Sequence, residues 1–210
     1  MITLARAQKL LELSLAEYSA IRRVYYLEVY NAVKTFLNSK GNSTGFKSTV
    51  KTSMVDAFLR AAETAWIDGG SELPIEGDAL DWLGARQAAE LSYIDELAVR
   101  LVALRKEKDL AIDFADTEAA TRAEGYCGSL DFVYSNVKLL ASGSKMLTFV
   151  GVDGQEPYPC PECARYKNKR HTASWWVAND AIPGSVTGFT CKGYNCKHVL
   201  VDDGGQIWSL

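Results

Sequence analysis

The sequence has no long apolar run and no marked excess of charge of one sign. A membrane-spanning helix needs about 20 consecutive apolar residues, and no stretch of the 210 residues approaches that length. Charges occur throughout the first 30 residues, so we expect neither a secretory signal peptide nor a transmembrane segment. A formal net charge of -3 is too close to neutral for a chain that coats nucleic acid or an anionic membrane. We therefore expect no membrane partner.

Cysteine is scarce and unevenly placed. Four of the five cysteines fall in the last 51 residues. An odd number of cysteines gathered at one end does not fit a disulfide framework, which pairs cysteines and belongs to oxidising compartments. Metal ligation explains the distribution better, and it predicts that the chain works in a reducing compartment.

Apolar residues recur at helical spacing through the first two thirds of the chain. They predict four helices, and the first is long enough to run roughly 50 Å at 1.5 Å per residue. The expected bounds are Leu4 to about Ser39, Asn42-Ser43 to Gly69-Gly70, Asp78 to near Asp109, and Asp116 or Thr117 to Gly143. The apolar positions of the first helix are Leu10, Leu13, Ile21, Val24, Tyr25, Val29, Val33 and Phe36. We expect an elongated, all-helical N-terminal region.

The character of the chain changes near Lys145. Short segments rich in β-branched and aromatic residues follow, separated by glycine and by four of the five prolines. These segments predict strands over residues 146–152, 173–178, 187–191 and 198–201. The domain boundary is expected near residues 143 to 146, between a helical bundle domain (1–143) and a Cys-rich zinc-binding β module (144–210). The expected fold class is α+β, with a small β-rich module that is similar to a zinc ribbon.

Two pairs of cysteines in the C-terminal module have the spacing of metal ligands. Cys160 and Cys163 form a CxxC pair in a proline-rich turn, and Cys191 and Cys196 form a second pair after 27 intervening residues. Zinc ribbons more often have CxxC in both pairs, with about 15 to 20 residues between them, so both spacings differ here. Four thiolates in a closed tetrahedron make a structural Zn²⁺ site, which stabilises a small Gly/Pro-rich unit.

Other residues compete with this ligand set. His198 can replace one cysteine, because Cys196 and His198 are two residues apart and would lie on the same side of a strand. His171 is a weaker rival. Four ordinary buried thiols are the alternative without a metal. Cys127 lies on an expected helix far from the cluster, and we expect it to be a buried thiol.

A catalytic zinc is disfavoured by the residues around the histidines. The segment Pro159 to Cys163 matches the P-C-x-x-C half of the zinc deaminase signature. The other half requires His-x-Glu, and neither histidine is followed by that pattern. The sequence has no HExxH motif, and four protein ligands leave no position for a reactive water. We expect no enzyme activity and no small-molecule substrate.

A short basic stretch lies beside paired tryptophans. Its members are Arg165, Lys167, Lys169, Arg170 and His171, followed by Trp175-Trp176. Such an arrangement can hold phosphates and stack bases, which makes the four Lys and Arg residues candidate nucleic-acid contacts. Residues 146 to 210 nevertheless hold six Lys/Arg and six Asp/Glu. That balance favours a solvated basic loop with at least one of the tryptophans in the core.

Two groups of side chains on the expected helices have more than one interpretation. The tyrosines of the first helix are Tyr18, Tyr25, Tyr26 and Tyr30. Their spread around the helix fits contact with a neighbouring subunit or a core within the chain. The acidic group of the third helix is Glu90, Asp95 and Glu96. Because no histidine or motif accompanies it, we expect a solvated helix face.

Several short motifs occur in a recognisable order after residue 55. They are Trp66-Ile-Asp-Gly-Gly70, Leu147 to Gly154, Cys160-x-x-Cys163, Ile182-Pro183 and Cys191 to Leu200. In this order they resemble minor head or head-morphogenesis proteins of tailed bacteriophages, which pair a helical region with a terminal Cys-rich zinc element. The family's Pro-x-His-x-x-Cys-x-Cys ending has a different order here, from Cys191 through His198.

This resemblance implies a virion component that is assembled in the bacterial host cytoplasm and lies at or near the portal vertex. It implies a minor head protein or a head-to-tail adaptor that works by assembly and not by turnover. The implied partners are portal, neck or capsid proteins and copies of the same chain in a ring, with Zn²⁺ as the cofactor. The alternative from a different class is a nucleic-acid-binding zinc-ribbon protein.

Overall fold

The computed structural model describes residues 4–38, 42–107, 113–151, 161–185, 188–190 and 198–208. Helices make up most of this part of the chain and three short strands form one antiparallel sheet, so the fold is α+β, as predicted. The chain divides into two compact units. The helical unit comprises Met1–Thr64 and Leu80–Leu130, and the mixed unit comprises Ala65–Ala79 and Asp131–Leu210. No helix in the described ranges is long and apolar enough to cross a membrane.

Four long helices lie where the sequence predicts them. They are α1 (Leu4–Asn38), α2 (Ser43–Asp68), α3 (Asp78–Leu104) and α4 (Phe114–Ser142). Gly70 and Gly143, which follow α2 and α4, have φ angles of 95° and 38°, a backbone conformation that favours glycine and ends a helix. After Leu104 the backbone makes short-range turn bonds, so α3 ends before the predicted Asp109, which lies outside the described residues.

The core of the helical unit follows the predicted apolar stripes. On α2 the buried residues at four-residue spacing are Phe46, Val50, Met54 and Phe58. Tyr25 of α1 packs edge-on against Phe58, with ring centroids 6.5 Å apart. The prediction that Val24 belongs to the apolar stripe of α1 is wrong, because this residue lies about 100° around the helix from Tyr25 and is 48% exposed. The side chains of Leu10 and Leu13 lie outside the described part of the chain.

The sheet of the mixed unit has the strand order β2-β1-β3, with both pairs antiparallel. The strands are β1 (Met146–Gly151), β2 (Arg170–Thr172) and β3 (His198–Val201). The predictions of β1 and β3 are confirmed, whereas β2 was not predicted. Leu147 and Phe149 of β1 are buried, and Phe149 is in register with the buried Leu200 of β3. This alternation directs one face of the sheet toward the core.

Two six-residue helices occur where the sequence predicted a turn and a strand. They are α5 (Pro161–Tyr166) and α6 (Ala173–Ala178). Proline at the first helical position of α5 and Glu162 in its first turn favour a helix start. The strand predicted over 173–178 is wrong, because the Thr172 side chain accepts a hydrogen bond from the Trp175 backbone N–H and caps α6. Of the strand predicted over 187–191, the structure describes residues 188–190, which form bends and a turn.

Gly69 lets the C-terminal end of α2 approach α4 closely within the mixed unit. A Cβ atom at Gly69 would lie 2.3 Å from the Cβ of Ala141 and 2.6 Å from the carbonyl oxygen of Lys138. The Ser142 hydroxyl donates a hydrogen bond to the Gly69 carbonyl at 3.2 Å. The mixed unit therefore includes residues 65–79 and 131–143 in addition to the predicted module of residues 144–210.

Candidate metal centre

Aromatic side chains form the core beneath the candidate metal centre. Phe149 of β1 is fully buried and lies at the middle of this cluster. The rings around it, with centroid distances of 5.0 to 6.2 Å, belong to Tyr166, Trp176, Phe189 and His198. The Trp176 indole N–H donates to the Leu147 carbonyl at 3.1 Å, which satisfies its one buried donor. The short helices, residues 188–190 and β3 therefore all pack on β1.

Cys163 is the one proposed cysteine ligand whose position the structure describes. It lies on α5, is 3% exposed, and belongs to the same buried cluster as Phe149 and Trp176. The turn after α5 returns the chain to the sheet, where Asn168, with a φ of 61°, donates its backbone N–H to the Phe149 carbonyl at 2.8 Å. Asparagine tolerates this conformation better than most residues. Cys160, Cys191 and Cys196 lie outside the described residues.

Glu162 of α5 forms hydrogen bonds with Thr190, the residue that precedes Cys191. The Thr190 hydroxyl donates to Oε1 of Glu162 at 2.5 Å, and the Thr190 backbone N–H donates to Oε2 at 3.3 Å. Phe189 is buried beside Thr190 and packs against Phe149 and Tyr166. Since Glu162 precedes Cys163 in the sequence, the residues immediately before Cys163 and Cys191 are hydrogen-bonded to each other.

Gly188 holds the same segment against the turn that follows α6. A Cβ atom at this position would lie 1.6 Å from the carbonyl oxygen of Asp180, so no side chain fits. The Gly188 N–H donates to the Ser185 hydroxyl at 3.0 Å, and this hydroxyl donates to Oδ1 of Asp180 at 2.7 Å. Residues 188–190 therefore contact the turn after α6 at Gly188 and α5 at Thr190.

The alternative ligand His198 reaches the same aromatic core from β3. It is half-buried, it pairs with Gly151 in the sheet register, and its ring centroid lies 5.0 Å from that of Phe149. His171, the weaker candidate, lies on the edge strand β2 and stacks on Trp175 at 3.6 Å. Within the described ranges, which contain Cys163 alone of the four proposed cysteines, no group of three His, Cys, Asp or Glu side chains could hold a metal ion.

A polar cluster fixes β3 from its C-terminal side. Oδ2 of Asp202 accepts hydrogen bonds from the Lys145 ammonium and the Trp208 indole, both at 3.0 Å. The ammonium groups of Lys138 and Lys145 lie over the Trp208 ring, 4.8 and 4.0 Å from its centroid. Burial alone raises the pKa of Asp202, but the hydrogen bonds from Lys145, the Gln206 amide and Trp208 lower it to about 2. The carboxylate is therefore charged at neutral pH and links Trp208, near the end of the described chain, to Lys145.

The basic stretch, for which the charge balance favours a solvated loop over a nucleic-acid contact, is exposed. Its four cations are Arg165, Lys167, Lys169 and Arg170. Arg170 forms an ion pair with Asp203 at 2.6 Å, and the guanidinium of Arg165 lies 5.5 Å from the Tyr166 ring centroid. Trp176 is in the core and Trp175 is half-buried, so the prediction that at least one tryptophan is a core residue is confirmed.

Contacts within the helical unit involve all four tyrosines of α1. Tyr18 and Tyr25 are buried in the core. The Tyr30 hydroxyl donates to the carboxylate of Asp116, and the Tyr26 ring stacks on that of Tyr30 with centroids 6.1 Å apart. Two of the four tyrosines are therefore core residues, and Tyr30 bonds to α4.

The acidic group on α3 does not form a uniformly solvated face. Glu90 is 3% exposed and forms an ion pair with Arg86 at 2.5 Å, so the prediction of a solvated side chain is wrong at this residue. Asp95 is half-buried, and hydrogen bonds from Lys51 and then Lys47 lower its pKa. Glu96 is exposed, as predicted.

Cys127 is buried in the helical unit, as predicted, and its thiol donates to the carbonyl of Arg22 at 3.7 Å. Sequence reasoning missed Glu162 and Thr190, whose single local signal is that each directly precedes a cysteine.

Comparison with protein-family models, with curated proteins and with solved structures finds no match for this chain.

Proposed function

We propose that this chain is a structural protein of a tailed-phage virion, either a minor head protein or a head-to-tail adaptor, whose mixed unit is stabilised by a zinc ion. Cys160, Cys163, Cys191 and Cys196 hold the ion in this proposal, and His198 is the alternative to one of them. The resemblance of the motif order supports the phage role. The hydrogen bonds from Thr190 to Glu162 support the zinc site.

The hydrogen bonds between Glu162 and Thr190 support a shared site because they join the residue before Cys163 to the residue before Cys191. His198, at the other end of the second cysteine segment, packs on the aromatic core that contains Cys163. Thr190 and His198, the described residues that flank the second cysteine segment, therefore both contact α5 or the aromatic core that contains Cys163, which is compatible with a four-cysteine structural site.

The metal content of the purified full chain tests the zinc site, with Cys127 as a matched control. Cys163 and Cys127 are both buried thiols, but only Cys163 belongs to the proposed ligand set. We expect about one zinc ion per chain in the wild type and in Cys127→Ser, and a large loss in Cys163→Ser. Inductively coupled plasma mass spectrometry measures the ratio. A zinc-free wild type, or full retention by Cys163→Ser, would contradict the proposal.

The virion role is tested by self-assembly. A ring-forming connector shows a mass that rises with concentration to a closed multiple of the monomer, because head-to-tail interfaces close into rings. Mass photometry across a concentration series measures the mass, and negative-stain micrographs of the same samples show whether rings form. A monomer at every concentration, with or without added zinc, would count against a ring component.

The exposed basic stretch favours a second candidate, a nucleic-acid-binding module. Counterion release predicts a slope of log K against log salt of about -0.9 per phosphate contact. Three cations would therefore give a slope of about -2.7, and release of Arg170 from Asp203 would bring it to about -3.6. Anisotropy of a labelled DNA duplex in a salt series measures the slope, and Lys169→Ala should reduce its magnitude by about 1. Monomeric behaviour with this slope would favour the second candidate over the virion role.

A further inference from the structure

We infer that the mixed unit binds single-stranded nucleic acid on a strip of aromatic rings that lies beside the exposed basic stretch. The inference rests on the second candidate function, a nucleic-acid-binding module, and specifies its ligand. The aromatic strip consists of Tyr166, His171 and Trp175, which belong to α5, β2 and α6. All three side chains are partly exposed.

The members of the aromatic strip follow one another in space. The His171 ring stacks on the Trp175 indole, with centroids 3.6 Å apart and an interplanar angle of 16°. Tyr166 and Trp175 form an edge-to-face pair with centroids 6.2 Å apart, and the guanidinium of Arg165 lies 5.5 Å from the Tyr166 ring centroid. The Lys169 backbone N–H donates to the Tyr166 carbonyl at 2.8 Å. Folding therefore brings three rings and the backbone of the basic stretch together from separate elements.

The basic stretch supplies cations that are available to phosphates. Arg165 and Lys169 are exposed, and neither forms an ion pair within the described part of the chain. Arg170 pairs with Asp203, but the two side chains are 48% and 75% exposed. Exposed ion pairs contribute little stability, so Arg170 can exchange this carboxylate for a phosphate. The charges beside the strip therefore complement a polyanion.

The combination of rings and cations favours single strands over duplexes. In a duplex the base faces are stacked on one another, and a protein reaches only the base edges and the phosphates. In a single strand the base faces are open and can stack on aromatic side chains such as His171 and Trp175. Trp176 is buried and its indole N–H is bonded to the Leu147 carbonyl, so we assign it to the core and not to the strip.

The affinity of the full chain for three labelled oligonucleotides of about 15 nucleotides tests the inference. The probes are an oligothymidine strand, an abasic strand of the same length, and the duplex of the first strand with its complement. Fluorescence anisotropy at one salt concentration compares them. We expect the intact strand to bind at least about 5-fold more tightly than the abasic strand or the duplex, because each stacked base contributes about this factor or more. An oligouridine strand should also bind, since RNA supplies the same rings and phosphates.

Variants separate the contribution of the rings from that of the charges. His171→Ala should weaken binding of the intact strand at least about 5-fold and leave the abasic strand unaffected, whereas His171→Tyr keeps a ring and should bind like the wild type. Lys169→Gln should weaken both strands and reduce the slope of log K against log salt by about 0.7 in magnitude. Arg60→Gln removes an exposed cation from α2 in the helical unit and is the control, with no expected effect.

The outcomes distinguish this inference from the function on which it rests. If none of the probes binds, both are overturned. If the duplex or the abasic strand binds as tightly as the intact strand, base stacking is overturned and a module that binds the phosphate backbone remains. Wild-type affinity in a His171→Ala variant with an unchanged near-ultraviolet circular dichroism spectrum would also overturn the stacking role. The comparison of intact and abasic strands uses the wild-type chain, so it gives an answer whether or not the variants fold.

Discussion

Helix α3 carries two Arg–Glu ion pairs of the same spacing in very different surroundings. The pair Arg86–Glu90 has side chains 14% and 4% exposed and an N–O distance of 2.5 Å. The pair Glu96–Arg100 has side chains 57% and 65% exposed and a distance of 3.5 Å. Both are i,i+4 pairs, so they allow a buried ion pair to be compared with an exposed one on the same helix.

Removing one partner of the buried pair should be costly. Glu90→Leu leaves the Arg86 cation with little solvent and also removes the acceptor of the Ser129 hydroxyl, which lies 3.1 Å from the same oxygen. Breaking a buried pair from one side costs about 3–5 kcal/mol, a large part of the roughly 5–15 kcal/mol that stabilises a typical domain. Replacing both partners, in Arg86→Met/Glu90→Leu, should recover most of this loss, because no charge is left uncompensated.

The exposed pair provides the control. Glu96→Leu should change the free energy of unfolding by less than about 1 kcal/mol, since exposed pairs are screened by water. Urea unfolding at neutral pH, followed by far-ultraviolet circular dichroism, gives the midpoint and slope for each variant. If Glu90→Leu and Glu96→Leu cost the same, Glu90 is solvated in solution and the argument from burial is refuted.

Two further predictions concern the mixed unit. Gly188→Ala should destabilise the protein by about 3 kcal/mol or more, because its Cβ would overlap the Asp180 carbonyl. Gly84→Ala on α3 is the control: its Cβ meets no atom within 4 Å, so it should stabilise the protein by up to about 1 kcal/mol. Thermal unfolding measures both variants, and equal effects would exclude the clash at Gly188. Asp202→Asn should cost about 1–2 kcal/mol at neutral pH, which is the free energy of a pKa lowered to about 2, reduced for partial exposure. Because the pKa of Asp202 is lowered in the folded protein, this stabilisation is present above about pH 4 and is lost as the pH falls toward 2. The urea midpoints of wild type and variant should therefore converge on acidification. A difference that stays constant with pH would show that the charge of Asp202 is not the source of the stabilisation.

The long helices were predictable because their period is sampled many times. The α2 stripe from Phe46 to Phe58 repeats over several turns, and glycine can take the positive φ that ends α2 at Gly70 and α4 at Gly143. Tertiary contacts need not be known for such elements, since the apolar face and the terminating residue are both local.

The short elements of the mixed unit were less predictable for the same reason. Six residues cover fewer than two helical turns, so no period can be read from Ala173–Ala178. The paired tryptophans have high β propensity and favoured a strand. The cap from Thr172 and the buried place of Trp176 outweigh that preference. In α5 the helix signals, Pro161 and Glu162, are local, but the proline-rich CxxC segment predicts a turn.

The cysteines of the candidate metal centre could be proposed from their spacing, but the contacts around Cys163 and Thr190 could not be predicted. CxxC is a local pattern, whereas the bond between Glu162 and Thr190 joins two elements that come together only in the folded unit. Phe189 also packs against Phe149 and Tyr166, which lie on other elements of the folded unit. No pattern within either cysteine segment indicates these partners.

Glu90 shows that the position of a charged residue can outweigh its type. It lies seven residues after Leu83 and four before Ile94, both of which are buried, so it belongs to the apolar stripe of α3. The prediction of a solvated face relies on the absence of a histidine or motif near the acidic group and leaves this position out of account. Arg86, one turn earlier on the same side of the helix, provides the compensating charge that makes burial tolerable. A charged residue on an apolar stripe with an opposite charge four residues away should therefore be predicted as a buried ion pair, and the contrast between Glu90→Leu and Glu96→Leu measures how much that position is worth.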